Sequence, residues 1–353
     1  MLKILEKNQK CPLSCDSVKI LKKREINDII FLILIINKLI GVNVMNIYIT
    51  YEKNFFTENQ IKDLSKYGKL IFLEDYFNLE GAEYLKDNED KILMADPEWY
   101  KWNLRKEHIS KISNLKAICV NTTAFDWIDW QYCKDNGIIV THTPKYSTDS
   151  VAEYAVFLLM CLAKKLPIQI KTNYKMEYNH EMLNTEIKGK TVGIIGLGTI
   201  GTRVAELCDN LGMNVIYWSK SKKENNYKKV EIDEIFKNAD YIIPTFATNE
   251  ETRKIITDDR IKMMEGNSLI NIIINPIEIY NHELVLERAE KNEISYAFEI
   301  YDDKILNDYK GNVMATAPYS FYTKESIDRL VALWCSNTIS ILNNNSQNVV
   351  WKR

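Results

Sequence analysis

Thr191-Val192-Gly193-Ile194-Ile195-Gly196-Leu197-Gly198-Thr199-Ile200-Gly201 is the stretch that decides the fold of this chain. Residues 191–195 read as a short, wholly buried strand and residues 202–211 as a helix, so the G-x-G-x-x-G joining them sits at a strand-to-helix turn. Each glycine there has its own physical task. Gly196 permits the tight turn, Gly198 lets the backbone approach a pyrophosphate, and Gly201 allows helix and strand to pack closely. The N–H groups at the helix N-terminus, with Thr199 and Ile200 in the loop that leads into it, then face an anion that the helix dipole also favours. A nicotinamide dinucleotide is the expected ligand.

Outward from that loop, apolar runs at 214–218, 241–245, 268–273 and 294–299 alternate with helical patterns, which argues an open, doubly wound parallel sheet. Upstream, a similar alternation runs from Met45 to about Thr143, with strands at 47–50, 70–73, 92–94, 117–121 and 138–141. Ser150 to Leu166 reads as one long apolar helix connecting the two units, and Thr323 to Leu342 as a helix that returns to the first. The expected fold class is therefore α/β, with two Rossmann-like domains. A substrate domain is expected at 45–145 plus 323–353 and a dinucleotide-binding domain at 146–322.

Residues 1–44 are set apart. Lys22-Lys23-Arg24 precedes an apolar run at 29–36 that is too short for a bilayer, which needs roughly 20 residues. Gly41 to Val44 makes a poor signal-peptide cleavage site. The expectation is an N-terminal extension, with natural translation starting at Met45.

Over 353 residues, 46% are hydrophobic and 27% charged, with a net charge of −2. This is an ordinary soluble balance, and it speaks against nucleic acid or an anionic membrane as partner. The seven cysteines are scattered, with no C-x-x-C and no histidine at metal-ligand spacing. They read as reduced thiols in a cytoplasmic protein without a metal site.

About 20 residues past the loop, an NAD-preferring site carries Asp or Glu for the ribose hydroxyls. Here Ser219 ends the strand, followed by Lys220, Lys222 and Lys223. A hydroxyl among cations suits a 2′-phosphate, so NADP is favoured over NAD; the alternative is a solvated charge run.

The motifs NTTAFDWID (121–129), TPKYSTDSVAEYAVFLL (143–159), the glycine loop, NEETRKIIT (249–257), GNSLINII (266–273) and APYSFYT (317–323) occur in that order. With them the chain resembles the D-isomer-specific 2-hydroxyacid dehydrogenases, within them the D-lactate dehydrogenase branch. The resemblance implies a cofactor domain inserted into a discontinuous substrate domain, with the active site in the cleft, and usually a homodimer. It implies that the backbone N–H groups of Thr123 and Ala124 hold the carboxylate of a small-molecule substrate. Ile273 joins the cofactor contacts, and Glu299, in place of the family's Asp, is expected at the nicotinamide carboxamide.

The catalytic positions depart from the family. Ile274 stands where the family's Arg is expected, Lys304 where its Glu falls, and Tyr319 where its His follows a proline. A slip of one residue would put Asp303 in place of Lys304. His108, His142 and His180 read as structural or surface groups, and His282 as opening a solvent-facing helix. One reading makes Tyr319 the proton donor, its phenol eased by the Lys304 ammonium, in an oxidoreductase acting on a small carbonyl, 2-hydroxy acid or related compound, and Ile274 points to a carbonyl or imine lacking the usual 2-keto carboxylate. The alternative is a non-catalytic dinucleotide-binding pseudoenzyme or interaction protein. A third is an ordinary dehydrogenase with relocated residues.

Overall fold

A computed structural model describes residues 45–73, 85, 88–176, 178–221, 224–272, 277–300 and 309–351. The N-terminal extension, Cys11, Cys15, Lys222, Lys223, Ile273, Ile274, Asp303 and Lys304 lie outside the described residues. The chain divides into two compact units, one running to Pro144 and resuming at Val331, the other spanning Lys145–Leu330. The second crossing thus falls inside the helix Lys324–Leu342.

In the first unit, β1 (Met45–Ile49), β2 (Gly68–Phe72), β3 (Lys91–Ala95), β4 (Leu115–Val120) and β5 (Ile139–Thr141) form one sheet in the order β2-β1-β3-β4-β5. Every pairing is parallel. Parallel strands are covered on both faces, which is why all of β3 is buried. The helix Glu58–Ser65 starts where Thr57 and Gln60 close a capping box, satisfying two otherwise orphaned N–H groups. Trp334, fully buried, fixes the C-terminal segment of this unit by donating its indole N–H to the Cys119 carbonyl at 2.7 Å.

The second unit holds β6 (Thr191–Ile195), β7 (Asn214–Trp218), β8 (Lys228–Lys229), β9 (Tyr241–Pro244), β10 (Ser268–Asn271), β11 (Ser295–Glu299) and β12 (Val313–Thr316). Their order is β12-β11-β10-β9-β6-β7-β8, again parallel throughout. Val192 and Ile194 of β6 face the helices Thr148–Ala163 and Thr199–Asn210, while Ile195 packs with Ile235 and Phe236 on the opposite face. This period of two is the signature of a strand in a two-sided core. The α/β class with two parallel sheets is as read from the sequence.

Several details differ from that reading. β8 and β12 were not expected. The long connector is two helices, Thr148–Ala163 and Leu166–Lys171. Lys165, in the left-handed region at φ 50°, breaks it, and Pro167 is tolerated because the first helical turn needs no N–H there. His282 does not face solvent freely: its Nδ1 lies 2.9 Å from the Tyr296 hydroxyl, and burial lowers its pKa. Among the described residues no helix is long and apolar enough to cross a membrane.

Candidate functional site

The order of the second sheet reverses between β6 and β9, and a reversal of this kind opens a crevice at the strands' carboxyl ends. A groove of about 410 Å³ lies there, lined by Gly196 and Gly198 after β6, Ser219 and Lys220 after β7, and Phe246 and Glu251 after β9. The glycine loop is tied to both neighbouring strand ends. Gly196 donates its N–H to the Trp218 carbonyl at 2.8 Å, and Thr245 Oγ1 donates to the Gly196 carbonyl at 2.6 Å.

Two glycines are required by this geometry. Gly196 has φ +100°, and a Cβ on it would sit 2.7 Å from Phe246 Cα; a Cβ on Gly201 would sit 2.2 Å from the Gly196 carbonyl oxygen. Gly198 is different, since a Cβ there would meet no neighbouring side chain or remote backbone within 4 Å. The open side of Gly198 leaves room for a pyrophosphate. Gly198 caps the helix Thr199–Asn210 without a side-chain hydrogen bond, so the N–H groups of Thr199, Ile200 and Gly201 have no acceptor within the helix. The residues present fit a dinucleotide.

Ser219 is buried at the far end of β7, where a carboxylate would select for free ribose hydroxyls. Beside it, Lys220 is ion-paired with Glu251, whose carboxyl the lysine holds below its ordinary pKa. Glu251, Thr245 and Phe246 were missed in the sequence. The only signal was the NEETRKIIT motif, which contains Glu251 but neither Thr245 nor Phe246 and gives no hint of the groove.

Further along the sheet, Glu299 ends β11, is buried, and accepts the Ser320 N–H through Oε1 at 2.8 Å. Ser150 Oγ donates to the Ser320 carbonyl at 2.5 Å. These two bonds clamp the turn that presents Tyr319, which is 61% exposed with its ring 6.2 Å from that of Tyr322. The Tyr319 hydroxyl makes no hydrogen bond among the described residues.

In the first unit, Thr123 and Ala124 follow β4 on an exposed loop. Their N–H groups have no acceptor among the described residues, while the Ala124 carbonyl accepts Thr122 Oγ1 and the Trp127 indole N–H. His142, buried, lies beneath with Nδ1 2.9 Å from the Thr123 carbonyl. Nearby, Asp96 at the end of β3 accepts the Asn121 amide at 2.5 Å and the Glu98 N–H at 2.9 Å. Burial pushes its pKa up to about 6, against the pull of those two bonds. Neither His142 nor Asp96 stood out as a loop support in the sequence, because Thr123 and Asn121, their partners in the loop, are remote in the chain. Among the described residues no cluster of three or more His, Cys, Asp or Glu side chains suits a metal ion.

A profile of the D-isomer specific 2-hydroxyacid dehydrogenase NAD-binding domain matches residues 156–298. A protein of Staphylococcus saprophyticus subsp. saprophyticus, provisionally named a 2-hydroxyacid dehydrogenase, is 32% identical over 253 residues, covering 68% of this chain and 79% of its own length. An acyclic imino acid reductase solved in complex with NADPH and D-arginine superposes with a TM-score of 0.72 and 27% identity, over 87% of this chain and 100% of its own. The D-lactate dehydrogenase of Aquifex aeolicus, solved with NAD and lactic acid, shares the fold at TM-score 0.69 and 23% identity, over 85% of this chain and 96% of its own. The glycine loop at the switch point of a parallel sheet lies inside the matched stretch, and the chain belongs to the D-isomer-specific 2-hydroxyacid dehydrogenase family of nicotinamide-dinucleotide oxidoreductases.

Proposed function

We propose that this protein is a reductase with a preference for NADP(H), acting on a small imine or carbonyl compound. The observation that carries the proposal is Ser219, a buried hydroxyl lining the groove where a carboxylate would repel a 2′-phosphate. In this reading the N–H groups of Thr199, Ile200 and Gly201 bind the pyrophosphate, and Ser219, Lys220 and Lys222 receive the 2′-phosphate. Ile273 and Glu299 contact the nicotinamide end. The bound dinucleotide supplies hydride.

The protein's own residues do the rest. Tyr319 delivers the proton, and the family resemblance assigns the N–H groups of Thr123 and Ala124 to an anionic end of the substrate. Ile274 in place of the family's Arg favours an imine, since a protonated imine nitrogen is cationic and an arginine there would repel it. The reductase solved with NADPH and D-arginine supports this substrate class by its 27% identity. The test is NADPH consumption with small 2-keto acids in the presence and absence of an amine.

One observation favours a second reading, a dinucleotide-binding protein without turnover: the Tyr319 ring is 61% exposed and its hydroxyl has no hydrogen-bond partner among the described residues. Tight cofactor binding with no consumption across the same panel would select it. For quaternary structure, Phe157, Ile170, Tyr174, Met176, Tyr178 and Leu183 are exposed apolar residues within one stretch. They support a homodimer through this segment, which sedimentation analysis tests. Five buried free thiols among the described residues suit the reducing cytoplasm.

A further inference from the structure

Lys220 and Glu251 reach the groove from different loops, one after β7 and the other from the turn after β9, and both line its outer end next to Ser219. Both side chains are exposed, 79% at Lys220 and 74% at Glu251, and it is the backbone of Glu251 that is held. Glu251 sits in a turn fixed from within: Asn249 Oδ1 accepts the N–H groups of Glu251 and Thr252, each at 3.0 Å, and Asn249 N–H donates to Thr252 Oγ1 at 2.7 Å. Thr252 Oγ1 in turn donates to the Ala247 carbonyl at 2.8 Å. Lys220 is the end of a long side chain that is 79% exposed, with Glu251 as its ion-pair partner.

We infer that Glu251 is a specificity-determining residue that holds back the protein's selection of NADPH over NADH. A 2′-phosphate arriving beside Ser219 must draw Lys220 away from Glu251, and the carboxylate left behind stays near the incoming dianion. NADH carries no charge at that position, so the pair remains closed when it binds. Ser219 and Lys220 therefore admit the 2′-phosphate while Glu251 opposes it, and the balance between them sets the ratio of the two affinities. This rests on the reading of the groove as an NADP(H) site.

The experiment is a fluorescence titration of NADPH and NADH into the full-length protein and its Glu251→Gln variant, at low and at physiological salt. Glu251→Gln keeps the shape of the side chain and removes one exposed charge. It is expected to raise the NADPH-to-NADH affinity ratio about fivefold at low salt, less at higher salt, with NADH affinity changed under about twofold. Adding Lys220→Met to Glu251→Gln lowers NADPH affinity again and leaves NADH alone. A ratio that stays within about twofold of the parent overturns the role of Glu251. A parent protein that binds NADH more tightly overturns the NADP(H) preference by itself, and the shift in ratio still decides the inference. Binding of neither cofactor overturns both.

Discussion

Glu299 and Ser320 are joined by a buried hydrogen bond, Ser320 N–H to Glu299 Oε1 at 2.8 Å, that ties the end of β11 to the turn bearing Tyr319. Ser150 holds the same residue from the other side through its carbonyl. Glu299→Ala leaves a buried N–H without an acceptor, with an expected cost of about 1–3 kcal/mol in a urea denaturation series. Glu299→Gln keeps an acceptor oxygen and should lose less than half of that. Equal losses in both variants would mean that the bond to Ser320 is not what the carboxyl contributes.

Tyr319→Phe separates chemistry from packing. Its exposed ring loses only a hydroxyl, so stability should change by less than about 0.5 kcal/mol. Turnover should fall by at least about 100-fold, the scale of a lost general acid, while NADPH affinity is unchanged. A rate equal to the parent's would remove Tyr319 from the reaction.

Two glycines of one loop should fail in different ways. Gly201→Ala forces a Cβ to 2.2 Å from the Gly196 carbonyl oxygen, and overpacking of this kind costs about 1–3 kcal/mol. Gly198→Ala meets no neighbouring side chain or remote backbone within 4 Å, so its melting temperature should hold, yet its Cβ enters the space proposed for the pyrophosphate. A loss of NADPH affinity of about tenfold or more is expected for Gly198→Ala. Unchanged affinity would place the nucleotide elsewhere.

Asp96 makes stability depend on pH. Its pKa is 3.8 ordinarily and is pushed up to about 6 by burial, so between those values the folded chain keeps a proton that the unfolded chain has lost. Stability contributed by the protonated form is present below about pH 4, falls as pH rises to about 6, and is flat above. The fall is on the order of 3 kcal/mol, because each pKa unit corresponds to about 1.4 kcal/mol. Asp96→Asn should remove that slope from denaturation curves taken between pH 4 and 7. An unaltered slope would show that other groups produce it.

What the sequence disclosed follows from where each signal resides. The glycine loop and the strands beside it were legible because a buried parallel strand carries few polar side chains, and Val192 to Ile195 has none. β8 was not, since Lys228 and Lys229 are exposed and carry no apolar pattern. The groove was only half legible. Gly196 and Ser219 announce themselves by spacing along the chain, whereas Thr245, 49 residues from Gly196, and Glu251 arrive only through the order of the sheet. His282 was misjudged for the same reason: its partner, Tyr296, stands on a strand that follows the helix.

The most direct test of the account is NADPH absorbance followed in the presence of a panel of small 2-keto acids, with and without ammonia or methylamine. The account predicts saturable NADPH consumption that is fastest where an imine forms and is lost in Tyr319→Phe. NADPH that binds tightly and is consumed with no member of the panel would contradict it.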